Sequence, residues 1–81
     1  MIIPKLLPNG AIVMMLKYNA DTGAGNVLAR VEKTFHAEYV VWSFYDSDLS
    51  TTHSGHYFGS PHFEQASYKL EAYEYFDGLI V

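Results

Sequence analysis

Residues 60–78, SPHFEQASYKLEAYEYFDG, decide how the rest of this chain is read. Their pattern predicts a helix. Ser60 suits the N-cap because its hydroxyl can accept from a free backbone N–H, and Pro61 suits the first helical position, where its missing N–H costs nothing. Gly78 is placed to end the helix by taking the left-handed conformation that other residues resist. At 100° per residue, Phe63, Ala66, Leu70 and Tyr73 share one arc, which is the face expected to be buried. Burial would contribute about 1.5 to 3 kcal/mol for each of Phe63, Leu70 and Tyr73. Glu64, Tyr68, Glu71 and Tyr75 form the opposite stripe, expected to face solvent.

Upstream of this helix the period changes from 3.6 to 2. Residues 53–58 read as a short strand, and residues 39–45 alternate, with Val40, Trp42 and Phe44 on one side and Tyr39, Val41, Ser43 and Tyr45 on the other. Between them, residues 46–52 (DSDLSTT) have side chains that bond their own backbone, which marks a loop. Residues 27–35 alternate too. Val27, Ala29, Val31 and Phe35 face one way, and Leu28, Arg30, Glu32 and Thr34 face a side expected to be wet. Residues 21–26 form a hairpin turn after a nearly continuous apolar run over residues 11–18, which predicts a central strand. Residues 1–7 could add an edge strand, since Pro4 is tolerated mainly at an edge.

With no helix between strands, parallel crossovers are excluded. The expected fold is therefore α+β: a four- or five-stranded, mainly antiparallel sheet with one C-terminal helix on one face. Eighty-one residues predict one domain spanning 1–81, large enough to bury a core without staples. Apolar residues at 49% place the chain outside intrinsic disorder. The absence of cysteine removes disulfides and thiolate zinc sites, which fits a cytoplasmic setting. No apolar run approaches the ~20 residues of a membrane span, and Pro4, Pro8, Asn9 and Gly10 interrupt any signal-peptide pattern. A formal charge of −4 disfavours direct nucleic-acid binding.

Three groupings could carry function. His53, His56 and His62 lie within ten residues and offer imidazoles for a structural zinc site. On a regular strand His53 and His56 would point to opposite faces, so a shared metal needs a bend at Ser54-Gly55. His53 or His56 beside Asp46 or Asp48 would suit a small hydrolase or nuclease, although no nucleophile elbow, phosphate loop or metalloprotease helix accompanies them. The third grouping is the helix stripe Glu64, Tyr68, Glu71 and Tyr75, with Asp46 and Asp48 as a second contact. Tyrosine supplies broad contact area and a polar tip at small entropic cost, which suits a protein interface.

Tyr39-Val40-Val41-Trp42 and His56-Tyr57-Phe58-Gly59, followed by a helix, resemble small proteins encoded by bacteriophages and other mobile elements. The likeness spans residues 39–75. In size, acidity and lack of enzyme motifs the chain also resembles small anti-CRISPR proteins. That resemblance implies a non-enzymatic inhibitor, needing no cofactor, that binds a host protein such as a CRISPR effector. An unguarded strand edge leaves homodimerisation open.

Overall fold

The computed structural model describes residues 3–33, 37–45, 49, 51–59 and 66–80. Four strands run in sequence order across one antiparallel sheet: β1 (Ile12–Tyr18), β2 (Gly25–Glu32), β3 (Ala37–Phe44) and β4 (His53–Phe58). One helix follows, α1 (Ala66–Asp77), and packs on β2, β3 and β4. This is the expected α+β meander. The start of the helix expected over residues 60–65, with its Ser60 cap, Pro61 and inward Phe63, lies outside the described residues.

Period-2 alternation on β2 and β3 builds a core on each face of the sheet. On one side lie Val27, Ala29, Val40, Trp42 and Phe44, flanked by Val13, Leu16 and Tyr18. On the other lie Leu28, Tyr39 and Val41, under Ala72 and Phe76 of α1. The helix therefore covers the side that β2 was expected to leave wet. Leu28 is fully buried there despite its neighbours Arg30 and Glu32. The far face is closed instead by Leu7, Ala11 and Leu49, which come from the N-terminal segment and the β3–β4 connection.

That N-terminal closure depends on a tight turn. Gly10 N–H donates to the Leu7 carbonyl at 2.8 Å, and Leu7 N–H donates to the Ala11 carbonyl at 2.9 Å. Asn9 accepts from Ala11 N–H through its side chain, an Asx arrangement typical of turns. Gly10 sits at φ +88, a region that glycine enters without a Cβ penalty. Residues 3–7 form no strand. They meet the sheet through a single Leu6–Ile12 bridge and a Val13 N–H to Lys5 carbonyl bond of 2.9 Å.

Strand β1 is consequently an edge strand and not the central strand that its apolar run suggested. Ile12 and Met15 stay exposed, and the register slips between Val13 and Met15. The β1–β2 hairpin closes with Asn19 N–H donating to the Ala24 carbonyl and Gly23 N–H to the Asn19 carbonyl.

Helix α1 meets the sheet through a face other than the expected one. Ala72 and Phe76 are buried, Tyr68 and Tyr73 pack beside them, and Leu70 is 60% exposed. Tyr68, Ala72 and Phe76 are successive i, i+4 neighbours and form one stripe as valid as the predicted Ala66–Leu70–Tyr73 arc. A long-range contact accompanies this choice. The Lys17 ammonium on β1 donates to the carbonyls of Phe76, Asp77 and Leu79 at 2.7, 2.9 and 3.0 Å, and stands 5.1 Å from the Phe76 ring centroid. A cation among the last carbonyls complements the negative end of the helix dipole and satisfies acceptors that have no intrahelical donor. Gly78 follows the helix as expected, but without positive φ. Its N–H donates to the Glu74 carbonyl at 3.2 Å, and Leu79 N–H donates to the Phe76 carbonyl at 3.1 Å.

Candidate functional site

Strand β4 is built around a bulge. Tyr39, Val40 and Val41 pair with Phe58, Tyr57 and His56, whereas Ser43 pairs with His53. Two residues, Ser54 and Gly55, therefore oppose Trp42 alone. Ser54 takes φ +56, a left-handed conformation that a side chain resists. Gly55 lies against the Trp42 ring, where an added Cβ would sit 2.7 Å from Trp42 Nε1 and 2.8 Å from Tyr57 Cε2. The extra residue resets the alternation, so His53 and His56 partner residues of the same β3 face. The bend that a shared histidine face requires is present.

The two imidazoles nevertheless enter different aromatic stacks. His53 stacks on Tyr45 with centroids 4.5 Å apart. His56 stacks on Tyr75 of the helix at 4.2 Å and lies 4.9 Å from Phe58. His53 Nδ1 is 3.1 Å from Ser54 Oγ, and its Nε2 is buried with no hydrogen-bond partner among the described residues. A buried, unsatisfied ring nitrogen costs about 1 to 3 kcal/mol, which a ligand there would offset. His62, the third residue expected in a zinc site, lies outside the described residues. Among the described residues no three His, Asp or Glu side chains are grouped to hold a metal ion.

The helix stripe divides. Tyr68 is half-buried and packs with Leu28, Tyr39, Val41, Ala72 and Phe76, so it contributes to the core. Glu71 is exposed, and Tyr75 is 38% exposed with its ring over His56 and 5.6 Å from Phe58. Glu71 precedes Tyr75 by four residues and therefore occupies the same helical face one turn earlier. Glu64, Asp46 and Asp48, expected as partner contacts, lie outside the described residues, as do the carboxylates expected to work with His53 or His56 in a hydrolase.

Two further exposed aromatic residues, neither marked by a sequence motif, belong to this margin of the molecule. Tyr57 is 61% exposed on β4, its ring edge-on to Trp42 at 6.2 Å, and Tyr45 is equally open at the end of β3. Their signal in the sequence was topological. Four strands in a meander leave the last strand at an edge, and its alternating side chains stand at that edge. Among the described residues, no strand pairs with the outer side of β4.

No protein-family model matches the chain, and neither a curated protein nor a solved structure matches it. No described helix is long and apolar enough to cross a membrane.

Proposed function

We propose that this chain is a small non-enzymatic protein-binding inhibitor that acts by occupying the surface of a host protein. The carrying observation is the aromatic margin where α1 lies over β4. Tyr75, His56 and Phe58 stack on one side of the β4 edge, and Tyr57 stands on the other, with Glu71 beside them. Rigid, partly exposed aromatic rings fixed by neighbours lose little entropy on binding, which is what an interface anchor requires. Of the stripe Glu64, Tyr68, Glu71 and Tyr75, this reading uses Glu71, which is exposed, and Tyr75, which stacks on His56 where the helix meets the sheet. Resemblance in size and acidity to anti-CRISPR proteins makes a CRISPR-type defence nuclease the first partner to try. Inhibition of such a nuclease by wild-type protein, lost in Glu71→Lys and Tyr75→Ala, supports the proposal; wild-type inhibition retained by both variants refutes the assigned surface.

A second reading has one observation in its favour. The bulge places His53 and His56 on one sheet face, and His53 Nε2 is buried without a partner among the described residues. A structural zinc site using these two histidines with His62 would satisfy that nitrogen. Elemental analysis of tag-free protein decides it: one equivalent of zinc, with a lower melting temperature after chelation, establishes the site, and metal-free protein removes it.

A further inference from the structure

The two edges of the sheet are not equivalent. The N-terminal segment lies along part of β1 through the Leu6–Ile12 bridge and the Lys5 carbonyl, and Lys17 of β1 is committed to the helix end. The outer side of β4 pairs with no described strand. Natural edge strands are usually guarded by charge, proline or shortness. β4 reads His53-Ser54-Gly55-His56-Tyr57-Phe58 and contains no lysine, arginine, carboxylate or proline. Its one guard is the bulge at Ser54-Gly55, which leaves the stretch from His56 to Phe58 in regular register with Val41, Val40 and Tyr39.

Charge is distributed in the same sense. The five basic residues are Lys5, Lys17, Arg30, Lys33 and Lys69, so residues 34–68 contain none. That span holds all of β3 and β4, together with Glu38, Asp46, Asp48 and Glu64. Lys69, at its boundary, is turned over the Tyr73 ring at 5.9 Å. Glu71 adds a further exposed carboxylate on the helix face that carries Tyr75 to β4. A second copy of this chain, paired through its own β4, would place the exposed Glu71 of each copy at a seam to which residues 34–68 bring no lysine or arginine. An extended segment carrying arginine or lysine would meet opposite charge and aromatic faces suited to guanidinium stacking.

We infer that the β4 edge is a strand-addition site for an extended basic segment of the partner protein, which pairs with the backbone of residues 56–58 and places its cations against Tyr57, Tyr75 and Glu71. The inference rests on the protein-binding reading above and names how that partner is held. Backbone pairing supplies affinity in this mode, and side chains alternating along the added strand supply selectivity.

Two capped synthetic hexapeptides alternating valine with arginine, or valine with glutamate, test it directly. Titrated into isotopically labelled protein, the arginine peptide is expected to shift and protect amides of β4 while leaving β1 unmoved. Its affinity should fall at least threefold in Glu71→Gln and fall further with added salt, and the glutamate peptide should bind at least tenfold more weakly. Equal binding of both peptides, shifts confined to α1 or β1, or a concentration-dependent dimer paired through β4 would each overturn the inference. Nuclease inhibition that depends on Glu71 and Tyr75, without β4 involvement, would leave the protein-binding reading intact and remove only strand addition.

Discussion

The Tyr75 ring of α1 lies over the His56 ring of β4 with centroids 4.2 Å apart and planes 23° from parallel. It lies beside the helix face that is buried: the Tyr68–Ala72–Phe76 stripe is turned inward and Leu70 is left outside. Replacing Phe76, which is 1% exposed, by Ala should cost about 3 to 5 kcal/mol. Leu70→Ala should change stability by no more than about 0.5 kcal/mol. Urea unfolding of the two variants measures both, and a larger loss at Leu70 would contradict the helix orientation.

Lys17 ties the end of α1 to the far edge of the sheet through three carbonyls. Lys17→Met keeps the aliphatic stem but removes the donors and the charge beside the helix terminus. The expected loss is about 1 to 2 kcal/mol, since the site is partly open to water. Faster amide exchange should be confined to the last turn of the helix. An unchanged unfolding midpoint would show that the three hydrogen bonds contribute nothing net.

The bulge makes opposite predictions at adjacent residues. Gly55→Ala drives a Cβ into Trp42 and Tyr57, and overpacking of this kind costs about 1 to 3 kcal/mol. Ser54→Gly relieves the left-handed φ of +56 and should stabilise by up to about 1 kcal/mol, less the lost contact with His53. Thermal melts of the pair test whether β4 is bulged at this position.

His53 separates the metal-free and zinc-bound readings without any metal assay. Phenylalanine keeps the stack on Tyr45 and removes Nε2, which has no partner among the described residues. In metal-free protein, His53→Phe should therefore raise stability by about 1 kcal/mol. If zinc is ligated there, the same change should lower the melting temperature and abolish any response to chelation.

The strands were legible because alternation and turn chemistry are local. β4 occupies the residues predicted for it, and the two faces of β3 divide as Val40, Trp42 and Phe44 against Tyr39 and Val41. The helix face was not legible, because apolar residues surround α1. Its orientation depends on contacts such as Lys17 to Phe76, 59 residues apart in sequence, which no periodicity reports. The apolar run of β1 suggested a central strand for a similar reason. Its cover comes from Leu7 and Ala11 folding back, and not from a neighbouring strand. Leu28 looked half-wet beside Arg30 and Glu32 until the helix was placed over it. Of the proposed contact residues, Glu71 and Tyr75 are legible from helix periodicity, whereas Tyr68 packs against the core and the exposure of Tyr57 follows from the edge position of β4, which periodicity does not report.

On the proposed function, the margin between α1 and β4 binds a protein partner and is not needed for folding. Glu71→Lys separates binding from folding, because Glu71 is exposed on the helix face that carries Tyr75. The measurement is the inhibition constant of wild type and Glu71→Lys against a CRISPR-type nuclease that the wild type inhibits, with the melting temperature of each protein recorded alongside. Inhibition is expected to weaken at least tenfold, with a melting temperature within about 3 °C of wild type, consistent with a surface substitution. Full inhibition by the folded variant would contradict it.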